Sequence, residues 1–213
     1  MSTDDLISRL GASTTAKRPP RVGLLLAAAA AVGALAALAL AMAMWGPRHD
    51  LPHAVGSMHF WMKAGYALAL AAAGLTALER LGRPGERAPI GMMLAGLAVL
   101  AVLGLAAHEL MILPRGAWMP ALKGHSWRVC SLNIVAISGP GFLAAMWALC
   151  QMAPTRPRLA GAAAGLMAGG LGAAAYGVAC NETAASFLAS WYSLGMLAWA
   201  AVGAALGPRL LRW

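Results

Sequence analysis

The sequence predicts an all-α fold, an integral membrane bundle of six transmembrane helices with both termini on the cytoplasmic side. Of 213 residues, 61% are hydrophobic and 11% carry charge, a balance that no soluble domain of this size tolerates on its surface. Six apolar stretches, over residues 22–45, 61–78, 90–113, 129–152, 159–179 and 187–206, are each long enough to cross a hydrocarbon layer about 30 Å thick. The basic residues supply the orientation. With both termini inside, Arg9, Lys17, Arg18, Arg21, Arg80, Arg83, Arg87, Arg156, Arg158, Arg209 and Arg212 fall on the cytoplasmic side, against Arg48, Lys63, Arg115, Lys123 and Arg128 outside. That excess follows the positive-inside rule. The net charge of +9 is spread over short loops and helix ends, and builds no contiguous basic domain that would bind nucleic acid directly.

Two units follow along the chain, a cytoplasmic segment and tether over residues 1–21 and a transmembrane unit over 22–213. In the first, Thr3 as N-cap, Asp4 and Asp5 in the first turn, and Leu6, Ile7 and Leu10 on one apolar face before Gly11 mark a short helix. So short a helix does not hold its shape alone in water, and its apolar face gains structure only against a partner or the membrane. Residues 13–21 lack apolar periodicity, and Pro19 and Pro20 exclude a continuous helix, which leaves a flexible tether. The first apolar run is longer than a signal-peptide core and reads as a retained span. The cytoplasmic loops over 79–89, 153–158 and 208–213 are too short to hold a soluble catalytic domain.

In the fourth span Pro140, within Ser138-Gly139-Pro140-Gly141, is expected to kink the helix by removing one hydrogen bond and crowding the preceding turn. An amide in hydrocarbon is costly without a partner, so Asn133 turns its own face, which Cys130 shares, toward the bundle interior. In the fifth span Gly161, Gly165, Gly169, Ala173 and Gly177 recur every four residues, a small-residue ridge that lets a neighbouring backbone approach closely. Continued as a helix, that span places Cys180 about 60° round from the ridge, facing protein.

Cys130 and Cys180 are equidistant from the polar turn Pro154-Thr155-Arg156-Pro157. At about 1.5 Å per residue, the roughly 25 residues on each side carry both thiols to the far boundary of the same membrane face. In a bacterial inner membrane that face is the oxidising periplasm. Cys150 lies at the opposite boundary and reads as a packing residue. All five histidines share the outer side with Glu109 and Glu182. Cys130 and Cys180 are therefore candidate ligands for a soft or borderline divalent ion such as cadmium or zinc, with His108, Glu109 and Glu182 as candidate additional ligands. The competing chemistry is a reversible disulfide between the two cysteines. His49, His53 and His125 read as solvated loop residues, and His108, Glu109 and Lys63 as side chains that snorkel to the headgroups. No constitutive cofactor is expected, only a transient heavy-metal ion at the cysteine pair. Without a Walker loop, a dinucleotide glycine fingerprint, a Cys-x-x-Cys or a Ser/His/Asp arrangement, the sequence argues for a sensor or regulator and against an enzyme.

Several segments, taken in order, carry a likeness to a known family. They are Thr3-Asp4-Asp5-Leu6-Ile7, Arg83-Pro84-Gly85, Ser126-Trp127-Arg128-Val129-Cys130 and Ala153-Pro154-Thr155-Arg156-Pro157. In the C-terminal third they are Ala160-Gly161-Ala162-Ala163-Ala164-Gly165-Leu166, Cys180 with Glu182, Trp191-Tyr192-Ser193-Leu194-Gly195 and Gly207-Pro208-Arg209-Leu210-Leu211-Arg212-Trp213. Covering nearly the whole chain, they resemble the NrsF family of bacterial membrane-bound anti-sigma factors. The resemblance implies a six-helix, multi-pass protein of the inner membrane. It also implies a short N-terminal segment that binds an extracytoplasmic-function sigma factor, here Asp4, Asp5, Leu6, Ile7 and Leu10, and a periplasmic-side cysteine pair, here Cys130 and Cys180. One departure is Ala179, where the resemblance leads one to expect a histidine before the second cysteine.

The expected function is sequestration of the sigma factor by the N-terminal segment and its release when the cysteine pair senses heavy metal or oxidative stress. The expected partners are that sigma factor and membrane lipid, with no direct contact to nucleic acid. The alternative is a small transporter or ion-conducting protein in which Lys63, His108 and Glu109 line a path, although no charged residue lies near a midplane. A quinone-linked thiol oxidoreductase would need a relay of cysteine pairs, and this chain has one pair.

Overall fold

The computed structural model describes residues 3–5, 8 and 22–211. Among the described residues there is no strand, and six helices are long and apolar enough to cross a membrane. They are α1 (Val22–Met44), α2 (Met58–Leu81), α3 (Pro89–Ile112), α4 (Trp127–Cys150), α5 (Pro157–Tyr176) and α6 (Ala185–Leu210). Proline opens α3 and α5, where its missing N–H leaves no intrahelical bond unmade. Ser57 caps α2, its hydroxyl accepting from the Phe60 N–H at 3.3 Å. The loop expected before the fourth span instead holds a 3-10 turn at Arg115–Ala117 and a short helix at Trp118–Lys123. Helix α6 starts with one α-turn, Ala185–Phe187, passes through a π-helical turn at Leu188–Tyr192, and continues as α-helix from Ser193. Pro140 sits inside α4 without ending it, and the nearby Ser138 hydroxyl donates to the Ile134 carbonyl at 2.6 Å.

Helix α5 forms the centre. It packs against α6, α2, α4 and α1, while α3 lies outermost on α2. The most apolar window of α5 is 72% buried, against 17% for that of α3, although α3 is far more hydrophobic. Lipid is as apolar as leucine, so hydrophobicity alone gives a helix no reason to sit in the middle of a membrane bundle. Close backbone packing does. The small-residue ridge of α5 supplies it: a Cβ at Gly161 or Gly165 would land on the carbonyl of Gly203 or Trp199 in α6. Over Gly161, Gly165 and Gly169 the expected ridge is the α5–α6 contact, while Gly177 lies past the end of α5.

Of the N-terminal residues singled out above, Asp4 and Asp5 lie in a helical turn with Thr3, Asp4 being exposed and Asp5 half-buried. The Ser8 hydroxyl donates to the Asp5 carbonyl at 3.0 Å. Leu6, Ile7 and Leu10 lie outside the described residues.

Candidate functional site

Helix α5 stops at Tyr176, short of Cys180. Gly177, Val178 and Ala179 form a turn, and residues 180–184 run without regular structure to the start of α6. The expectation that Cys180 continues the α5 helix is corrected here, because the chain leaves the helix within one turn of it. The turn is closed by the backbone bonds Ala179 N to Tyr176 O and Cys180 N to Tyr176 O, each 3.0 Å. It tucks inward, so Cys180 is buried although it lies in a loop.

A non-helical segment needs partners for its carbonyls, and here they come from side chains on other elements. The Lys63 ammonium, one turn and a half into α2, donates to the Cys180 and Glu182 carbonyls at 2.8 Å each. Arg48, in the α1–α2 loop, reaches the Cys180 carbonyl at 3.3 Å while its guanidinium grips Asp50 through two bonds of 2.6 Å. Glu182 holds the other side. Its Oε1 accepts from the His125 and Ser126 N–H groups at 2.7 and 2.9 Å and from the Ser126 hydroxyl at 3.1 Å. These bonds fasten the loop to the residues just ahead of α4. Gly124 permits it: its φ of +54° favours glycine, and a Cβ there would stand 2.5 Å from Glu182 Oε2.

Within this clamp the two thiols meet. Cys130, on the first turn of α4, is fully buried, and Cys180 is 4% exposed. Both thiols are free, and the Cys130 S–H donates to the Cys180 sulfur. That hydrogen bond, with the Lys63 ammonium and the Glu182 N–H nearby, holds the Cys180 thiol below its ordinary range against the opposing effect of burial. The Tyr192 phenol, with no other hydrogen-bond partner among the described residues, faces the same sulfur from the π-helical turn of α6. Lys63 Nζ also stands 5.4 Å from the Tyr192 ring centre. Asn133, one turn along α4 from Cys130, finds the partner its amide requires in the Tyr176 hydroxyl at 3.0 Å.

The other candidate ligands do not join the pair. His108 is exposed, as are the other four histidines. Glu109 accepts from the Ser186 N–H at 2.7 Å, and Glu182 is committed to the chain ahead of α4. Among the described residues no three histidine, cysteine or acidic side chains gather where they would hold one metal ion. Cys150 lies at the other end of α4 and is exposed, its thiol 3.9 Å from the Leu210 carbonyl of α6.

Lys63 corrects a second expectation. It is 3% exposed and turned inward, where it had been expected to snorkel outward. Lys63, Arg48, Gly124 and Tyr192 are the residues of this site that sequence reasoning did not assign to it. Lys63 alone carried a usable signal, as a cation inside a membrane-length run is by default a functional residue with a partner to find.

Comparison with known proteins completes the picture. A family profile described as "NrsF: Negative regulator of sigma F" matches residues 10–213. The chain is 41% identical over 213 residues to the "Probable anti-sigma-F factor NrsF" of Azospira oryzae, covering all of both chains. It is 42% identical over 217 residues to the "Anti-sigma-F factor NrsF" of Caulobacter vibrioides, again over both full lengths. No solved structure matches.

Proposed function

We propose, from the fact that the chain belongs to the NrsF family, the negative regulators of sigma F, that it holds a sigma factor inactive at the bacterial inner membrane and releases it in response to thiol chemistry. The sigma factor is of the extracytoplasmic-function class and is captured by the N-terminal segment, with Asp4, Asp5, Leu6, Ile7 and Leu10 as its contact face. The input is the pair Cys130 and Cys180 on the periplasmic side, responding to heavy metal or oxidant.

The observation that carries this reading is the meeting of two buried thiols, one of them poised toward thiolate, on α4 and the α5–α6 loop. Oxidation takes two protons and two electrons from the pair, passes them to the oxidant and forms one S–S bond. A soft metal ion instead displaces the thiol protons and bridges the sulfurs. Reversing a two-state population from 1:99 to 99:1 takes about 5.5 kcal/mol. A new bond between α4 and the α5–α6 loop works on that scale.

The test is co-purification of the cognate sigma factor with the wild type, with Cys130→Ser/Cys180→Ser and with Leu6→Asp/Leu10→Asp, before and after cadmium or oxidant. The expected result is capture by the first two, release on treatment from the wild type alone, and no capture by the third. Treatment that releases the partner equally from the double cysteine variant removes the pair as the input. Undiminished capture by the leucine variant removes the N-terminal face as the holding surface.

A further inference from the structure

At the end of the bundle remote from the thiols, a cleft of about 470 Å³ opens between α2, α3, α5 and α6. It exists because α3 rests on α2 and meets α6 chiefly at the Ala185–Tyr192 stretch, at the other end, so α3 and α6 part toward this one. Its walls are hydrocarbon, with Ala77, Met92, Ala162, Leu166 and Leu197 among them. Its size falls in the range of about 300–1,000 Å³ usual for small-ligand sites.

The mouth is different. Arg87 and Arg156 line it, both exposed. Of the other arginines at this end, Arg80 pairs with Glu86 and Arg83 with Glu79, each at 3.3 Å, Arg209 donates to the Ala205 carbonyl, and Arg158 does not line the cleft. Arg87 and Arg156 have no carboxylate partner among the described residues. Each also stands just ahead of a helix, α3 from Pro89 and α5 from Pro157, so two helix N-termini add their partial positive charge to the two guanidinium groups. An apolar slot under a doubly cationic rim is complementary to a molecule with a hydrocarbon tail and an anionic head. Guanidinium binds phosphate oxygens in pairs, and basic pockets between transmembrane helices suit lipid headgroups.

We propose that this cleft is a binding site for one anionic phospholipid, with an acyl chain between α3 and α6 and the phosphate held by Arg87 and Arg156. The lipid fastens α3, the least buried helix, to the turn between α4 and α5.

Native mass spectrometry of the full chain, loaded with equal amounts of phosphatidylglycerol and phosphatidylethanolamine, tests this. The wild type is expected to retain phosphatidylglycerol preferentially, and Arg87→Gln/Arg156→Gln to retain it roughly tenfold less. Arg80→Gln/Arg83→Gln, which removes the same charge from the same end, is expected to bind as the wild type does. Ala162→Leu, which narrows the slot, is expected to weaken retention with the arginines intact, and free inorganic phosphate is expected not to compete. Equal loss in the two arginine pairs would reduce the effect to general attraction and overturn the site. Unchanged retention in Arg87→Gln/Arg156→Gln, displacement by inorganic phosphate, or a dimer that Ala162→Leu separates would overturn it as well.

Discussion

At one end of the bundle, Cys130 and Cys180 are buried against each other in a loop whose carbonyls are taken up by Lys63 and Arg48 and whose Glu182 is tied to the residues ahead of α4. At the other end, Cys150 is exposed near the Leu210 carbonyl, and the arginines border an open cleft. The same residue type meets opposite conditions some 20 residues apart on one helix, about 30 Å at helical rise. The contrast teaches that a place at the end of a long helix does not by itself bring thiols together. A second chain segment folded inward, with its backbone satisfied by buried cations, brings a sulfur to a sulfur.

Lys63→Met gives the largest expected effect, because it attacks the clamp and leaves the thiols in place. It removes two charge-assisted bonds, leaving the Cys180 carbonyl with Arg48 alone and the Glu182 carbonyl without its donor, which costs about 3 kcal/mol. The expected outcome is a lower thermal unfolding midpoint in detergent and faster alkylation of Cys180. If the loop keeps Cys180 protected without Lys63, the buried cation is not what holds the cysteine end closed.

The next effect is in pH. The folded protein favours the Cys180 thiolate, so its pKa is below the value of about 8.5 for a free thiol. The stability this supplies is fully present above the free-thiol value and is lost as pH falls through the lower folded value. Thermal midpoints of the wild type and Cys180→Ser, measured across that window, are expected to converge toward acid. A difference that does not change with pH would mean that the thiolate is not favoured by folding.

Much of this organisation was legible in the sequence, and the reasons are specific. Six runs of apolar residues declare six helices because backbone polar groups in hydrocarbon leave no other economical answer. The glycine spacing in α5 declared a tight contact because only close backbones need it. That Cys130 and Cys180 come together at one end of the bundle followed from helical rise, although the fifth helix ends before Cys180. The end of α5 was hidden because Gly177, Val178 and Ala179 are as apolar as the helix before them, and hydropathy does not register a turn. The role of Lys63 was hidden because its partners are backbone carbonyls, which every sequence has and none displays. The cleft was hidden because it is set by where α3 and α6 diverge, a property of two helices far apart in the chain.

The smallest expected effect is at Cys150. Its one hydrogen bond among the described residues is to a carbonyl 3.9 Å away, a weak contact for a thiol, and the residue is exposed. Cys150→Ser is therefore expected to change stability by less than about 0.5 kcal/mol, as exposed substitutions ordinarily do. In detergent, a maleimide probe is expected to label Cys150 promptly in the native protein and to reach Cys130 and Cys180 only after unfolding. The order of labelling reads the difference between the two ends directly, since all three thiols share one chain, one detergent and one reagent. Simultaneous labelling of all three in the native state would show that the clamp opens faster than the reagent reacts, and the buried pair would then owe its protection to nothing that Cys150 lacks.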